Sequence, residues 1–594
     1  CPLNSNTDGE SKRSLSDCMC DPGYFAAWND GNLTCTACPV GADCGEPGAT
    51  LDDLPLETGY WRHRPTTTDV RRCPGSIDGS ACVGCNSTAE CTATDFTGCK
   101  NGTHGPYCAL CEEEDVYFDH DTLACKPCRD DTAMPLYVLL GGAILLVCVL
   151  VTSAYLLKRR ATASSTRMGG LVKREQVWWK RHAQSIKRRL KIKVKILFTF
   201  YQIATKVSET YLMTFPPSVE KTLEVFSFTN LELDGLGLPL ACMGLNGFKN
   251  KLLFMIVAPV GVLLCTKLIG WSLRDRKHEI IHRESASVIA SGFVKRSGSW
   301  FAVAFQQSTY KFLPMALRVT FLAFPSVSSL AFKAFRCDDL DHNDNDRFKA
   351  GVMQADYAVE CWDEDGGFTA EYQHIRYLAM LAIFLYPFCV PVGYLVLFWK
   401  VRMALWKNEP TTLSTSVTFL TEEYDKTFFF WELVEVLKKL VLVGVMSVVL
   451  PGQINQLVLA FIIVLCFLVA LLVAKPYKRP EDDVIALASG FALVMFFFFS
   501  LILKFQTLTE EVAESLTGQL AKTFAIDHRT NTALLFASTL GALVVGGAMV
   551  VIEVSAAAAA NTKEKLKQAA LLKELEELRE KQKASAEEAE AMKK

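Results

Sequence analysis

Nine apolar runs, each long enough to cross a bilayer, alternate with charged loops between residues 132 and 555. They are 134–157, 194–215, 252–271, 309–332, 375–399, 429–450, 454–474, 484–505 and 532–554. A helical crossing needs roughly 20 apolar residues, and hydrocarbon offers backbone groups no water to bond. The expected fold is therefore an all-α polytopic membrane bundle of about nine helices. One such run could be the core helix of a soluble domain. Nine runs separated by charged loops cannot be, and a chain that is 50% hydrophobic over 594 residues agrees.

Loop charge orients the bundle. Residues 158–193 hold 13 Lys/Arg against the single acid Glu175, so this segment is expected in the cytoplasm. Counting onward puts 272–308 inside, the acidic loop 333–374 outside, and Lys475, Lys478 and Arg479 inside. The N-terminus is then extracellular and the C-terminus cytoplasmic. Trp178 and Trp179 among the cations, with Lys187, Arg188 and Arg189, read as an interfacial helix. The basic patch through Lys195 is expected to face anionic lipid of the cytoplasmic leaflet. A nucleic-acid partner is not expected of a patch tethered between two spans.

Cysteine usage divides the chain. Of 22 cysteines, 15 precede residue 129. This head, 1–131, is rich in Gly, Pro and Asp and lacks long apolar periodicity, so crosslinks must hold it. Cys18, Cys20, Cys35, Cys38, Cys44, Cys73, Cys82, Cys85, Cys91, Cys99, Cys108, Cys111, Cys125 and Cys128 are its candidate disulfide residues, with pairing open. Zinc is the competing reading of the C-x-x-C pairs. The chain's N-x-S/T sites, at Asn32, Asn86 and Asn101, all fall in the head and favour a glycosylated, oxidising compartment. The chain opens at Cys1 without a leader, and the odd head count fits an upstream partner or one free thiol. Cys337 and Cys361, in the outside loop, are expected to pair.

Several motifs go beyond periodicity. "CDPGYF" and "CTACPVGADC" resemble ephrin-receptor-like cysteine-rich (EGF-like) modules over about 30 residues. "LPLETGYWR", "GTHGPYCALC", "FPSVSSLAFKAFRC", "ADYAVEC", "YPFCVPVGYLVL", "FFFWELVEVLKKLVLVGV" and "KPYKRPEDD" resemble a family of polytopic protist and algal surface proteins. Its nine-span plan is similar to fungal TRP-like and polycystin-related membrane proteins. The resemblance implies a small disulfide-rich β/loop ectodomain on the bundle, and a channel or channel-like sensor of the plasma or ciliary/flagellar membrane. An extracellular protein or glycan ligand and homo- or hetero-oligomers are compatible with it. Two other readings compete. One is a non-conducting adhesion or scaffold receptor linking matrix or an appendage to cytoskeleton. The other is a lipid transporter or scramblase.

Charges inside the spans are the candidate site. Lys206 and Glu209 lie about 18 and 23 Å along the second run at 1.5 Å per residue. The sixth run carries Glu432, Glu435, Lys438 and Lys439. A charge at the bilayer centre costs about 2.5–3.5 kcal/mol, so each must find a partner. They form either a structural ion-pair network or a polar lining for an ion path, and Lys206 and Glu209 are expected to face the bundle interior beside the sixth run. No P-loop, dinucleotide fingerprint or H-E-x-x-H is present, so an enzyme is not expected, nor a cofactor. Asp341, Asp344 and Asp346 resemble the start of a calcium loop but lack its glycine and terminal glutamate, leaving them weak extracellular Ca²⁺ candidates. The tail, 556–594, reads as a cytoplasmic helix whose Leu571, Leu575 and Leu578 fit a short coiled-coil seam; a solvated single helix is the alternative.

Overall fold

The computed structural model describes residues 1–7, 17–29, 32–73 (without 53 and 66), 80–84, 98–128 (without 114–115 and 120–122), 190–230, 242, 247–265, 297–340, 350–513 (without 364–365) and 529–553. A few isolated positions follow 553. The run 134–157, the residues Trp178, Trp179, Lys187, Arg188, Arg189, Cys85, Cys91, Asn86, Asp341, Asp344 and Asp346, and most of the tail lie outside them.

The head is a string of two-stranded antiparallel ladders. β1 (Ser5–Thr7) pairs with β2 (Cys18–Cys20), and β3 (Tyr24–Asn29) with β4 (Asn32–Ala37). β5 (Tyr60–Arg62) pairs with β6 (Val70–Arg72), β7 (Thr103–His104) with β8 (Leu110–Cys111), and β9 (Val116–Asp119) with β10 (Ala124–Pro127). An isolated hairpin is marginal in water, and disulfides staple these: Cys1–Cys18, Cys20–Cys35, Cys38–Cys44, Cys73–Cys82, Cys99–Cys108 and Cys111–Cys125. Asn32 and Asn101 are exposed. A three-stranded sheet of β11 (Cys337–Leu340), β12 (Ala350–Met353) and β13 (Asp356–Glu360) is closed by Cys337–Cys361. A loop of that length contributes roughly 3 kcal/mol in the chain-entropy account.

The remainder is helical. The helices are α1 (residues 190–204), α2 (Val207–Tyr211), α3 (Pro217–Val225), α4 (Phe248–Cys265), α5 (Ser297–Lys333), α6 (Ala370–Ile383), α7 (Cys389–Lys407), α8 (Trp431–Lys439), α9 (Ile454–Ala474), α10 (Pro480–Ala513) and α11 (Arg529–Glu553). Six segments are long and apolar enough to cross a membrane: Phe248–Cys265, Phe312–Lys333, Ala370–Lys407, Ile454–Ala474, Pro480–Thr507 and Arg529–Glu553. The chain is thus a multi-pass membrane protein.

The expected count of nine spans is not reproduced among the described residues. Segment 194–215 is helical but breaks at Thr205–Lys206 and carries Lys195, Lys206 and Glu209. Segment 429–450 passes from α8 into a π turn, Leu440–Gly444, and then a 3₁₀ turn, Val445–Ser447. Charge and irregular backbone keep both out of the six.

The chain folds as two compact units. The first contains the head, 230–419 and 433–451. Its sheets share one core: Trp61, Cys82 and Tyr107 of the head are buried with Leu340 and Val352 of the outer loop. The acidic loop 333–374 therefore contributes Leu340 and Val352 to the head's interior. Below it α4, α5 and α6 pack together, with Tyr386 Oη donating to the Ile256 carbonyl. A π turn at Phe384–Phe388 joins α6 to α7 without ending the helix, and takes up Pro387.

The extra head cysteine also finds its partner in this unit. Cys128 bonds Cys242, in the segment between α3 and α4, so neither an upstream cysteine nor a free head thiol is needed for it. The free thiols among the described residues are Cys265, Cys389 and Cys466.

In the second unit α1 and α2 lie alongside α9, α10 and α11. Lys193 pairs with Asp482 and Glu553. About two turns further along, Tyr201 Oη donates to the Thr539 carbonyl, and beyond it Tyr211 packs on Phe497. At the far end Gln456 Nε2 donates to the Thr210 carbonyl and Lys504 Nζ to that of Leu212. Helix α10 therefore runs parallel to α1–α2, and α9 and α11 antiparallel.

The Cys128–Cys242 bond has a direct test. A protease site inserted between residues 158 and 189 will cut the chain into two fragments that stay together on a non-reducing gel. Cys242→Ser should separate them without reductant; co-migration of the reduced fragments, or separation of the unmutated ones, is the contrary result.

Candidate functional site

The most buried ionic groups of the second unit gather where α1, α10 and the segment 420–432 begin. Each has a local reason to be there. Asp482 is in the first turn of α10 and Glu432 in the first turn of α8, where the exposed amide end of a helix favours an anion. Lys193 and Lys195 stand two residues apart on α1 and so point to different neighbours.

Lys195 Nζ is 2.6 Å from Glu432 Oε2 and 3.1 Å from Glu423 Oε2, with the three side chains 9%, 1% and 2% exposed. Tyr424 Oη donates to the same Glu432 oxygen at 3.0 Å. Lys193 Nζ is 3.4 Å from Asp482 Oδ1 and 3.3 Å from Glu553 Oε1. Each lysine thus joins two carboxylates from different elements. Glu423, in the connection ahead of α8, has its carboxyl held above the usual range by burial and by Glu432, against the pull of Lys195. Its Oε1 is buried without a hydrogen bond.

For Lys193 and Lys195 this corrects the expectation that the basic patch faces anionic lipid; Lys187, Arg188 and Arg189 lie outside the described residues. Lys193 and Lys195 are the buried cores of ion clusters. In hydrocarbon or protein a bare ammonium is far costlier than one held by carboxylates, so the acids at the helix starts claim them.

The expected intramembrane charges are placed as follows. Lys206 pairs with Glu209 at 2.8 Å as i,i+3 neighbours, with Lys206 buried and Glu209 half exposed. Glu435 pairs with Lys438 at 2.5 Å in the same way. Lys439 is buried with its ammonium 4.1 Å from the Phe321 ring centre. Of the six, Glu432 enters the cluster that joins α1 to segment 420–432. Lys206 is also where α1 ends and α2 starts. Among the described residues no group of His, Cys, Asp and Glu is arranged to hold a metal.

A second polar site lies in the first unit, where the head meets the outer loop. Arg71 of β6 donates through Nη1 to Asp338 Oδ1 at 2.8 Å, and through Nε to Asp69 at 2.8 Å. Its Nη2 also reaches the Asp339 carbonyl, and Tyr107 Oη donates to Asp338. Tyr107 is sandwiched between Trp61 and Tyr357, with ring centres 5.2 and 5.1 Å away. Burial and the Asp338 carboxylate push the Tyr107 hydroxyl well above the usual phenol range.

Sequence reasoning missed Lys193, Lys195, Glu423, Asp482, Glu553, Arg71 and Asp338. A signal existed for the first five: acids at the edges of several apolar runs face cations at the edge of another. Which acid meets which base, across as many as 360 positions from Lys193 to Glu553, is not written in spacing. No such signal marks Arg71.

Lys195→Met leaves two buried carboxylates without their ammonium. The expected loss is about 3–5 kcal/mol, read as a lowered melting temperature of the purified protein. Lys249→Met, at an exposed position of α4, should stay within about 0.5 kcal/mol; equal effects would deny the cluster its structural role. Set against known proteins, the chain matches no family model, no curated protein and no solved structure.

Proposed function

We propose that the chain is a cell-surface membrane sensor of TRP-like, channel-like architecture, whose ectodomain biases the helices beneath it. The observation that carries this reading is the core shared by the head and the outer loop. β11 begins four residues after α5 ends, and β13 is followed by α6. Arg71, Tyr107 and Asp338 thus connect the head to the ends of two membrane helices through a few rigid residues.

Below the sheet, α5 packs on the π turn Leu440–Gly444, where Phe332 abuts Gly444. It also packs on the π turn at Phe384–Phe388. Such turns within helices are frequent at functional sites and are soft points for rearrangement. The resemblance of the membrane motifs to the protist and algal family, whose nine-span plan is similar to TRP-like and polycystin-related proteins, points the same way.

The proposed topology has nine crossings, with the N-terminus outside and the C-terminus in the cytoplasm of a plasma or ciliary/flagellar membrane. Bonds between the head, Cys242 and Asp338 support this reading, which has an even number of crossings between these points. Runs 134–157 and 194–215 supply two before Cys242, and α4 and α5 supply two after it. From Lys193 to Leu212 the chain covers about 29 Å at helical rise, near the bilayer's hydrocarbon thickness, alongside the uninterrupted α10.

The second reading, a non-conducting adhesion or scaffold receptor, is favoured by the Lys206–Glu209 and Glu435–Lys438 pairs, which neutralise charge within single helices. Reconstituted full-length protein separates the readings. The sensor reading expects cation flux into liposomes that changes several-fold with Arg71→Ala and shifts in selectivity with Lys206→Met. Lipid exchange without ion flux would transfer the protein to the lipid transporters, and neither activity to the scaffolds.

An epitope tag placed after Lys594 is expected to stain only in permeabilised cells. Staining of intact cells would require an even number of crossings.

A further inference from the structure

A charge count at Lys195 leads past the sensor reading and does not depend on it. One buried ammonium faces two buried carboxylates. Glu432 is well supplied, with Lys195 at 2.6 Å and the Tyr424 hydroxyl at 3.0 Å on the same oxygen. Glu423 has only a 3.1 Å share of that ammonium, and its other oxygen is buried with no hydrogen bond. Lys195 neutralises one of the two, and the closer, doubly bonded Glu432 has the stronger claim.

Other groups around Glu423 do not remove the imbalance. From α1, Lys191 approaches it but is only half buried. From the turn before α10, the Lys478 amide donates to the Glu423 carbonyl oxygen, while its exposed ammonium donates to the Glu422 carbonyl. Tyr424 is turned to Glu432 and packs its ring on Tyr477. Outer cations of this kind are screened by water, whereas the Lys195 contact is not.

We propose that Glu423 is a proton-binding site: at neutral pH its carboxyl holds a proton beside a neutral Lys195–Glu432 ion pair, and release of that proton to water loosens the clasp between segment 420–432 and α1. Protonation leaves one positive and one negative charge in the buried cluster. Deprotonation leaves two carboxylates sharing one ammonium, about 3 Å from it on either side, where like charges cannot both be satisfied. The elements this strains are the connection into α8 and the start of α1, which no covalent link among the described residues holds together.

The linkage has a definite sign. A carboxyl whose folded pKa lies above the free glutamate value, about 4.3, contributes its stability fully below that value. The contribution is lost as pH rises through the folded value. Glu423→Gln fixes the neutral state, so this variant should melt no lower than the parent at neutral pH and higher than it in alkali. Infrared difference spectra of the full-length protein in nanodiscs supply a second readout. A protonated-carboxyl band should be present at neutral pH, vanish in alkali, and be lost in Glu423→Gln. It should also be lost in Glu432→Gln, because Glu423 then ionises to serve Lys195, and be kept in Glu435→Gln. The proposal is overturned if Glu423→Gln removes no such band. It is equally overturned if that variant melts below the parent at every pH, or fails to fold, since the amide is a neutral isostere of the proposed acid.

Discussion

The second unit depends on how a lysine can be kept where water is scarce. Lys193 and Lys195 are nearly inaccessible, and each is held by carboxylates from two different elements. Such clusters are weak sources of stability, because desolvation consumes most of the attraction. Their effect is on specificity. Slide α10 by one turn against α1, and Asp482 is carried away from Lys193, which keeps Glu553 alone. The ion clusters therefore fix the register of helices whose apolar faces would tolerate many alignments, since hydrocarbon contacts alone distinguish poorly between them.

The head obeys a different economy of contacts. Its strands are too short and its apolar residues too few for one continuous interior, and the cluster around Trp61 and Tyr107 is completed by residues more than two hundred positions later, Leu340 and Val352. Arg71 and Tyr107 then seal the junction around Asp338. A disulfide from Cys128 to Cys242 adds a second attachment. The ectodomain is thus built by the membrane region as much as upon it.

What was legible in the residues was whatever short-range pattern determines. Apolar runs marked the six membrane helices, and clustered cysteines marked the stapled head. Cys337 and Cys361, near each other in an acidic loop, were readable as a pair. Long-range choices were not. Lys193 and Lys195 read as part of a lipid-facing patch because their partners Glu423, Glu432, Asp482 and Glu553 lie far along the chain. The break at Thr205–Lys206 and the π turn after Lys439 were hidden because the surrounding composition is ordinary helix. Lys206 was correctly singled out as anomalous, yet the anomaly coincides with a backbone break as well as an ion pair.

The π turn at Leu440–Gly444 carries a geometric consequence of its own. A π turn amounts to one residue inserted into an α-helix, and each residue advances the helix by about 100°. The face that α8 presents, with Glu435 and Lys438, is therefore out of phase with the face that follows Gly444. If the wide turn were passed along the helix by exchanging i→i+5 for i→i+4 bonds, the stretch it crossed would swivel by that angle while both ends stayed put. Phe332 beside Gly444 occupies the position where such a swivel would be felt first, so a small displacement of α5 along its axis would be converted into rotation of its neighbour.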